Sequence, residues 1–286
     1  MSLEPLSDGV IDDLVKAALE EDRASEDIST IASIPLSLAG TTRIVAGQDG
    51  VAAGLPFVAA TFRAIDRAVM FSGSLDDGDA FVVGAIVNEI SGPARALMQG
   101  ERVALNFLQR LSGIATVTRA YVNAVSGTGA VILDTRKTTP LLRDAEKYAV
   151  RCGGGQNHRR DLASMAMLKD NHLAALAGDE DSLRSTVKAI RNARPGIEIA
   201  IEVDSMDQLP KVLATGPEWI LLDNMGVDEI RRAVGQIGSR ARVEASGGIR
   251  LETVRAIAET GVHAISVGAL THSAPSVDFR MDFAVG

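Results

Sequence analysis

The segment IAIEVDSMDQLPKVLATGPEWILLDNMGVDEIRRAVGQIGSRARVEASGGIRLETVRAIAETGVHAISVGA (199–269) alternates two kinds of pattern. Short, mainly apolar runs lie at 199–203, 219–222, 242–245 and 264–267, as in strands buried on both faces. Helical spacing fills 207–214, 227–237 and 251–259 between them. Upstream, 131–133 and 166–168 extend the rhythm, with helical stretches near 143–151 and 182–193. Such alternation predicts a parallel sheet covered by helices. Six strands fit either a barrel or an open doubly wound sheet, and periodicity does not separate the two.

The strand ends favour the barrel. After 131–133 come Asp134, Thr135, Arg136 and Lys137, and after 166–168 come Lys169, Asp170 and Asn171. Glu202 and Asp204, then Asp223 and Asn224, then Glu244, Ser246, Gly247 and Gly248, and finally Gly268 mark the other ends. Polar groups at the C-terminal end of every strand are where an α/β barrel builds its active site.

Working toward the N-terminus, the chain reads as mixed α and β. Ser7 is placed to cap a helix over 8–22, β-prone runs follow at 41–46 and 51–53, and a helix is expected near 57–66. DDGDAFVVGAIVNEISGP (76–93) reads as a small strand-rich stretch, and 93–125 as helical, with Gly113 expected to break it in two. The start, MSLEPLSDG, lacks the basic and apolar regions of a signal peptide, and no run of about 18 apolar residues spans a membrane.

The 286 residues carry 37 acidic and 29 basic side chains, net −8, with only 3% aromatics, which argues against nucleic acid. A single cysteine, Cys152, excludes a disulfide framework and a cysteine zinc site, and points to a reducing cytoplasm. The charge is uneven: 134–170 holds eight basic and five acidic residues, so it is +3 and the remainder −11. With a Debye length of about 8 Å at physiological salt, the local positive basin governs binding of a small anion.

The strand ends offer cations in Arg136, Lys137, Lys169 and Arg159, separated carboxylates in Glu202 and Asp223, and a Gly-rich turn at 246–248 ahead of a helix. Guanidinium groups grip carboxylate or phosphate in bidentate fashion, and amides at a Gly-rich turn suit a terminal phosphate. Carboxylates beside phosphate call for a hard cation, most simply Mg²⁺. The ligand so inferred carries phosphate and carboxylate, with a metal. No GxSxG, HExxH or GxxxxGK[ST] motif is present, which removes the common hydrolase, zincin and P-loop readings. GGG (153–155) reads as a flexible turn and Cys152 as a packed residue. A Schiff base on Lys137 or Lys169 is the competing barrel chemistry. A biotinyl or lipoyl carrier is a poor reading, since no lysine lies between Lys16 and Lys137.

Seven strings are diagnostic together: DTRKTTP (134–140), EKYAVRCGGGQNHR (146–159), LKDNH (168–172), IEVDS (201–205), LLDN (221–224), EASGGI (244–249) and VGALTHS (267–273). With GVAAG (50–54), DDGD (76–79) and ERVALNFLQRLSGIAT (101–116), they resemble the quinolinate phosphoribosyltransferase family in the same order along most of the chain.

The resemblance implies an N-terminal α/β sandwich, 1–113, joined by the tail 271–286, and an incomplete seven-stranded α/β barrel, 114–270. It implies transfer of phosphoribose from phosphoribosyl pyrophosphate to quinolinate with decarboxylation, giving nicotinate mononucleotide, CO₂ and pyrophosphate. The cofactor implied is Mg²⁺, and the assembly a cytoplasmic homodimer, or a larger assembly of dimers, with shared active sites. Carried over by motif, Arg136, Arg159 and His158 hold the quinolinate carboxylates, with Arg102 reaching in from the other subunit and Thr135 completing the TRK triplet. Lys137 and Lys169 bridge carboxylate and phosphates, while Glu202 and Asp223 bind Mg²⁺ or the ribose hydroxyls. Ser246, Gly247, Gly248, Val267, Gly268 and Ala269 offer backbone N–H groups to the 5′-phosphate.

Two positions depart from the family pattern: Leu141 stands where a glycine is usual, and Asp161, beside an extra Arg160, where a small residue is common. The bland reading of Arg160 and Asp161 is a solvated pair. The alternative function is a related transferase acting on nicotinate or another heteroaromatic acid, although a monocarboxylate needs fewer arginines.

Overall fold

A computed structural model of the chain describes residues 3–73, 75–176 and 180–285; the remaining positions, which fall within the expected domain ranges, lie outside the described residues. In chain order the first elements are α1 (Asp8–Glu21), α2 (Ile28–Ser33), β1 (Ala39–Ala46), β2 (Gly50–Val51), α3 (Leu55–Ile65), β3 (Met70–Gly73), β4 (Ala80–Phe81), β5 (Ile86–Pro93) and α4 (Ala94–Ala124). Then follow β6 (Val131–Leu133), α5 (Arg143–Cys152), β7 (Ala166–Leu168), α6 (Asp170–Ala175), α7 (Glu180–Ala193), β8 (Ile199–Val203) and α8 (Leu209–Leu213). The last are β9 (Trp219–Asp223), α9 (Val227–Ile237), β10 (Arg242–Ser246), α10 (Leu251–Ala258), β11 (Ala264–Ser266), α11 (Ala269–His272) and β12 (Phe279–Val285). Two compact units form: 1–119 with 138–154 and 269–286, and 120–137 with 155–268.

In the first unit β12, β1, β5 and β3 pair in that order as an antiparallel sheet, and β2 pairs with β4. Period-two burial along β1 puts Gly40, Thr42 and Ile44 on one face. Ile44, Val87 and Ile90 of the sheet share a core with Val58 and Phe62 of α3 and with Leu97, Leu105 and Leu108 of α4. The α4 residues fall on one stripe of the helix, and each buried side chain of this size contributes about 1.5–3 kcal/mol. Val277 and Phe279 of the C-terminal segment complete that core.

Two local expectations are corrected. The helix does not break at Gly113 but runs unbroken through it as α4. Glycine serves packing there, because a Cβ would overlap the Pro275 carbonyl oxygen of the C-terminal segment. Ser7 precedes α1, yet its side chain makes no capping hydrogen bond. Asp77 of the DDGD string does cap α3, accepting from the Gly54 and Leu55 N–H groups at 3.0 Å each. The Tyr148 hydroxyl donates to the same carboxylate at 2.8 Å.

The second unit holds one parallel six-stranded sheet in the order β6-β11-β10-β9-β8-β7. That order decides between barrel and open sheet. A doubly wound sheet reverses direction at a switch point. Here the strands succeed one another from β7 to β11, and the first strand, β6, returns to pair with the last. The ring stays open between β6 and β7, where Gln156 alone bridges to Leu133 in parallel. The barrel is therefore incomplete, with six strands and a seventh position reduced to a single residue. Among the described residues no helix is long and apolar enough to cross a membrane.

Candidate active site

Strand register places the chemistry of the barrel. Glu202, Leu221 and Glu244 pair in one row, and Asp223 and Ser246 pair two residues further on, so all five point to the same face. Lys169 follows Leu168, the partner of Ile201, and so stands level with Glu202. Its Nζ makes an ion pair with Glu202 Oε2. Beside Glu202 opens a cavity of about 260 Å³ whose lining includes Asp170, Asp204 and Lys211.

Three acids of this unit are buried, Asp134, Glu202 and Glu244, and burial of a charge is costly unless it is paired. Glu202 has Lys169. Asp134 accepts from the His158 backbone N–H at 2.9 Å and from Asn157 Nδ2 at 2.6 Å. Glu244 takes His158 Nε2 at 3.0 Å on one oxygen and the Ser266 hydroxyl on the other. His158 Nδ1 accepts from the Arg159 backbone N–H at 2.6 Å.

Two guanidinium groups belong to the same unit. Arg159 donates to the Met165 carbonyl at 3.0 Å, and its acidity is raised first by burial and second by the Arg136 charge nearby. Arg136 Nε is buried with no hydrogen-bond partner among the described residues. A buried donor with no acceptor, next to a like charge, is a group awaiting an anion. The Lys137 N–H donates to Thr135 Oγ1 at 3.1 Å, a tight turn that leaves the Lys137 side chain exposed.

The Gly-rich turn is built for backbone approach. Gly247 and Gly248 have φ of 87° and 60°, the left-handed region that glycine enters at no steric cost. A Cβ on Gly247 would overlap the Asn224 side chain and come within 2.8 Å of the Asn224 backbone nitrogen. The Asn224 N–H in turn donates to the Ser246 carbonyl at 2.9 Å, and α10 begins just beyond the turn. Val267 departs from its expected role. Its N–H donates to the Leu133 carbonyl at 2.9 Å and closes the sheet, so it is not offered to a phosphate.

Glu202 and Asp223 lie on neighbouring strands, and Asp223 Oδ2 accepts from Asn224 Nδ2 at 2.7 Å. Among the described residues no three His, Cys, Asp or Glu side chains gather as a metal cage. Two carboxylates on neighbouring strands would suit Mg²⁺, which is commonly held by one or two carboxylates with substrate oxygens completing the shell.

In the first unit Arg102 stands exposed on α4, and Ala269 opens α11. The end of the DTRKTTP loop is tied down there by buried Glu146, which accepts from the Thr139 N–H at 3.1 Å and the Thr139 hydroxyl at 2.8 Å. Arg110 neutralises Glu146 at 2.8 Å. GGG is not a loose turn: Arg119 donates to the Gly153 carbonyl at 2.9 Å, and a Cβ on Gly153 would meet the Ala115 carbonyl at 2.5 Å. Burial pushes the Cys152 thiol up to about 12, which keeps it from acting as a nucleophile.

Leu141 has φ of 68° and is 91% exposed. A non-glycine residue in that region costs roughly 1–2 kcal/mol, partly offset by the entropy a glycine loses on folding. Leu141→Gly is expected to raise stability by about 0.5 kcal/mol, about 1–2 °C in Tm by calorimetry. A lower Tm would show that the leucine side chain makes a stabilising contact. Asp161 is more than half of a solvated pair. Its Oδ1 accepts the Ala163 and Ser164 N–H groups at 2.9 Å each, folding the loop between Arg159 and Met165.

Residues 27–112 match the model of the quinolinate phosphoribosyl transferase N-terminal domain, and residues 114–282 that of the C-terminal domain. The chain belongs to the quinolinate phosphoribosyltransferase family. It is 42% identical over 279 residues to a nicotinate-nucleotide pyrophosphorylase (carboxylating) of Mycobacterium leprae, covering 94% of this chain and 96% of that protein. A probable nicotinate-nucleotide pyrophosphorylase (carboxylating) of Bacillus subtilis is 44% identical over 239 residues, covering 84% and 82%. The fold superposes on the crystal structure of NadC from Streptococcus pyogenes with a TM-score of 0.94 at 41% identity, covering 99% of each chain.

Within this family member, sequence reasoning overlooked the supports behind the motif residues: Asp134, Asn157 and Ser266 around His158, and Glu146 with Arg110 behind Thr139. Asp134 and Glu244 were visible as strand-end acids, but what each one holds depends on neighbours that the sequence does not bring together.

Proposed function

We propose that this chain transfers the phosphoribosyl group of phosphoribosyl pyrophosphate to quinolinate, with loss of pyrophosphate and CO₂, forming nicotinate mononucleotide for NAD biosynthesis. Within the site, the observation that carries the reading is the buried Arg136 Nε, without a hydrogen-bond partner among the described residues, and close enough to Arg159 for the two charges to repel. A dicarboxylate answers both guanidinium groups at once.

The chain's own residues position and neutralise. Arg136, Arg159 and His158 orient quinolinate so that its ring nitrogen faces ribosyl C1, while Ser246, Gly247, Gly248, Gly268 and Ala269 hold the 5′-phosphate. Lys137 and Lys169 stand between carboxylate and phosphates. Glu202 and Asp223 would hold Mg²⁺, which when bound neutralises charge developing on the departing pyrophosphate. The C1–O bond to pyrophosphate breaks as the C1–N bond forms, and the ring nitrogen becomes cationic. The C2–carboxylate bond then breaks with its electron pair left on C2, where the cationic nitrogen stabilises it until a proton arrives from water. No protein nucleophile is needed, only orientation and preorganised charge.

Arg102 we assign to the carboxylate pocket of a second copy, making a homodimer with shared sites, and the lone buried Cys152 agrees with a reducing cytoplasm. At quinolinate well below the KM of either variant, where Arg102→Ala and Arg136→Ala are each nearly silent, mixing the two then restores one intact site per mixed dimer, about a quarter of wild-type activity at random exchange. No recovery after verified subunit exchange would contradict the shared site. The function itself is tested by offering quinolinate and nicotinate with phosphoribosyl pyrophosphate and Mg²⁺. Mononucleotide from quinolinate alone is expected, and turnover of nicotinate alone would overturn the proposal.

A further inference from the structure

Glu244 is one of the most buried acids in the barrel, 2% exposed, and no step of the transfer calls on it directly. It sits on β10 in the row of Glu202, and Ser266 stands two residues beyond its β11 partner Ala264, on the same face. One carboxylate oxygen faces His158 Nε2 at 3.0 Å and the other receives the Ser266 hydroxyl. The Glu244 charge also acts on Arg159 against the burial and the Arg136 repulsion that oppose it.

We propose that Glu244, oriented by Ser266, is a positioning residue that fixes the His158 ring and, through it, the Arg159 backbone at the quinolinate carboxylates. The inference rests on the quinolinate reading above and deepens it. A carboxylate oxygen at Nε2 favours the hydrogen of a neutral imidazole on that nitrogen, which leaves Nδ1 as an acceptor. Nδ1 is where the Arg159 N–H arrives, at 2.6 Å. With the opposite tautomer, two hydrogens would face each other at that point and the 158–159 backbone would have to move. Asp134 holds the same backbone from the other side through the His158 N–H, and the Met165 carbonyl holds the guanidinium. Arg159 is thus placed by three anchors, and Glu244 is the side chain that biases the ring toward the state the Arg159 N–H needs.

Glutamine separates this role from simple packing. It fills the same volume but offers either an acceptor or a donor to Nε2, so it no longer dictates the tautomer. Glu244→Gln is expected to raise the KM for quinolinate about tenfold and leave that for phosphoribosyl pyrophosphate within about twofold, the scale of losing one buried charge-assisted hydrogen bond. Ser266→Ala should move the same constant in the same direction by about threefold. Nitrogen-15 spectra of the imidazoles should show His158 as a single Nε2–H tautomer in wild type and a mixture in Glu244→Gln. The proposal is overturned if Glu244→Gln leaves both Michaelis constants unchanged, or raises both equally together with a fall in Tm. It is also overturned if a variant with raised quinolinate KM keeps the single tautomer. Failure of the wild type to turn over quinolinate would instead refute the functional reading.

Discussion

Arg136→Ala is expected to raise the KM for quinolinate about a hundredfold and that for phosphoribosyl pyrophosphate less than about threefold, the scale of removing one member of a desolvated charge-assisted pair. The size follows from the state of Arg136 in the free protein. Its Nε is already out of water with no acceptor among the described residues, so the cost of desolvation is met before substrate arrives and a carboxylate gains the interaction in full. Arg159 beside it resists further crowding of positive charge, and a dianion relieves that repulsion. Removing Arg136 loses the contact and much of the incentive together. Steady-state kinetics with each substrate varied in turn checks it, and equal effects on the two constants would remove Arg136 from the carboxylate pocket.

Gly247→Ala is the second large effect, and it falls on the other substrate. An alanine at a φ of 87° is strained, and its Cβ would overlap the Asn224 side chain and lie 2.8 Å from the Asn224 backbone nitrogen. That nitrogen is fixed by its hydrogen bond to the Ser246 carbonyl, so the turn itself has to move. Its amides then leave the phosphate position, and the KM for phosphoribosyl pyrophosphate rises about 30-fold, the scale of two lost amide–phosphate hydrogen bonds. The KM for quinolinate changes little, and far-ultraviolet circular dichroism stays that of the wild type. Unchanged kinetics with phosphoribosyl pyrophosphate would show that the turn does not hold the phosphate.

The barrel was legible because burial on both faces leaves a strand almost no choice but apolar residues. The runs 199–203 and 166–168 are strands in the structure as read. Strand order was not legible, since no residue of β6 announces that it pairs with β11. Gly113 shows how a correct cue was misread. Glycine in a helical pattern suggests a break, whereas here it makes room for the Pro275 carbonyl, a contact with a residue far along the chain. The turn at 246–248 was legible because left-handed backbone and glycine go together. The identity of what stands behind His158 was not, because Glu244 and Ser266 meet it only across the sheet.

In the proposed function, one site couples phosphoribosyl transfer to loss of the carboxylate next to the ring nitrogen. Quinolinate labelled with carbon-13 in its 2-carboxylate, supplied with phosphoribosyl pyrophosphate and Mg²⁺, tests it most directly. The prediction is one labelled CO₂ and one pyrophosphate released for every unlabelled nicotinate mononucleotide formed. Mononucleotide that retains the label, or labelled CO₂ released without phosphoribosyl pyrophosphate, would contradict it.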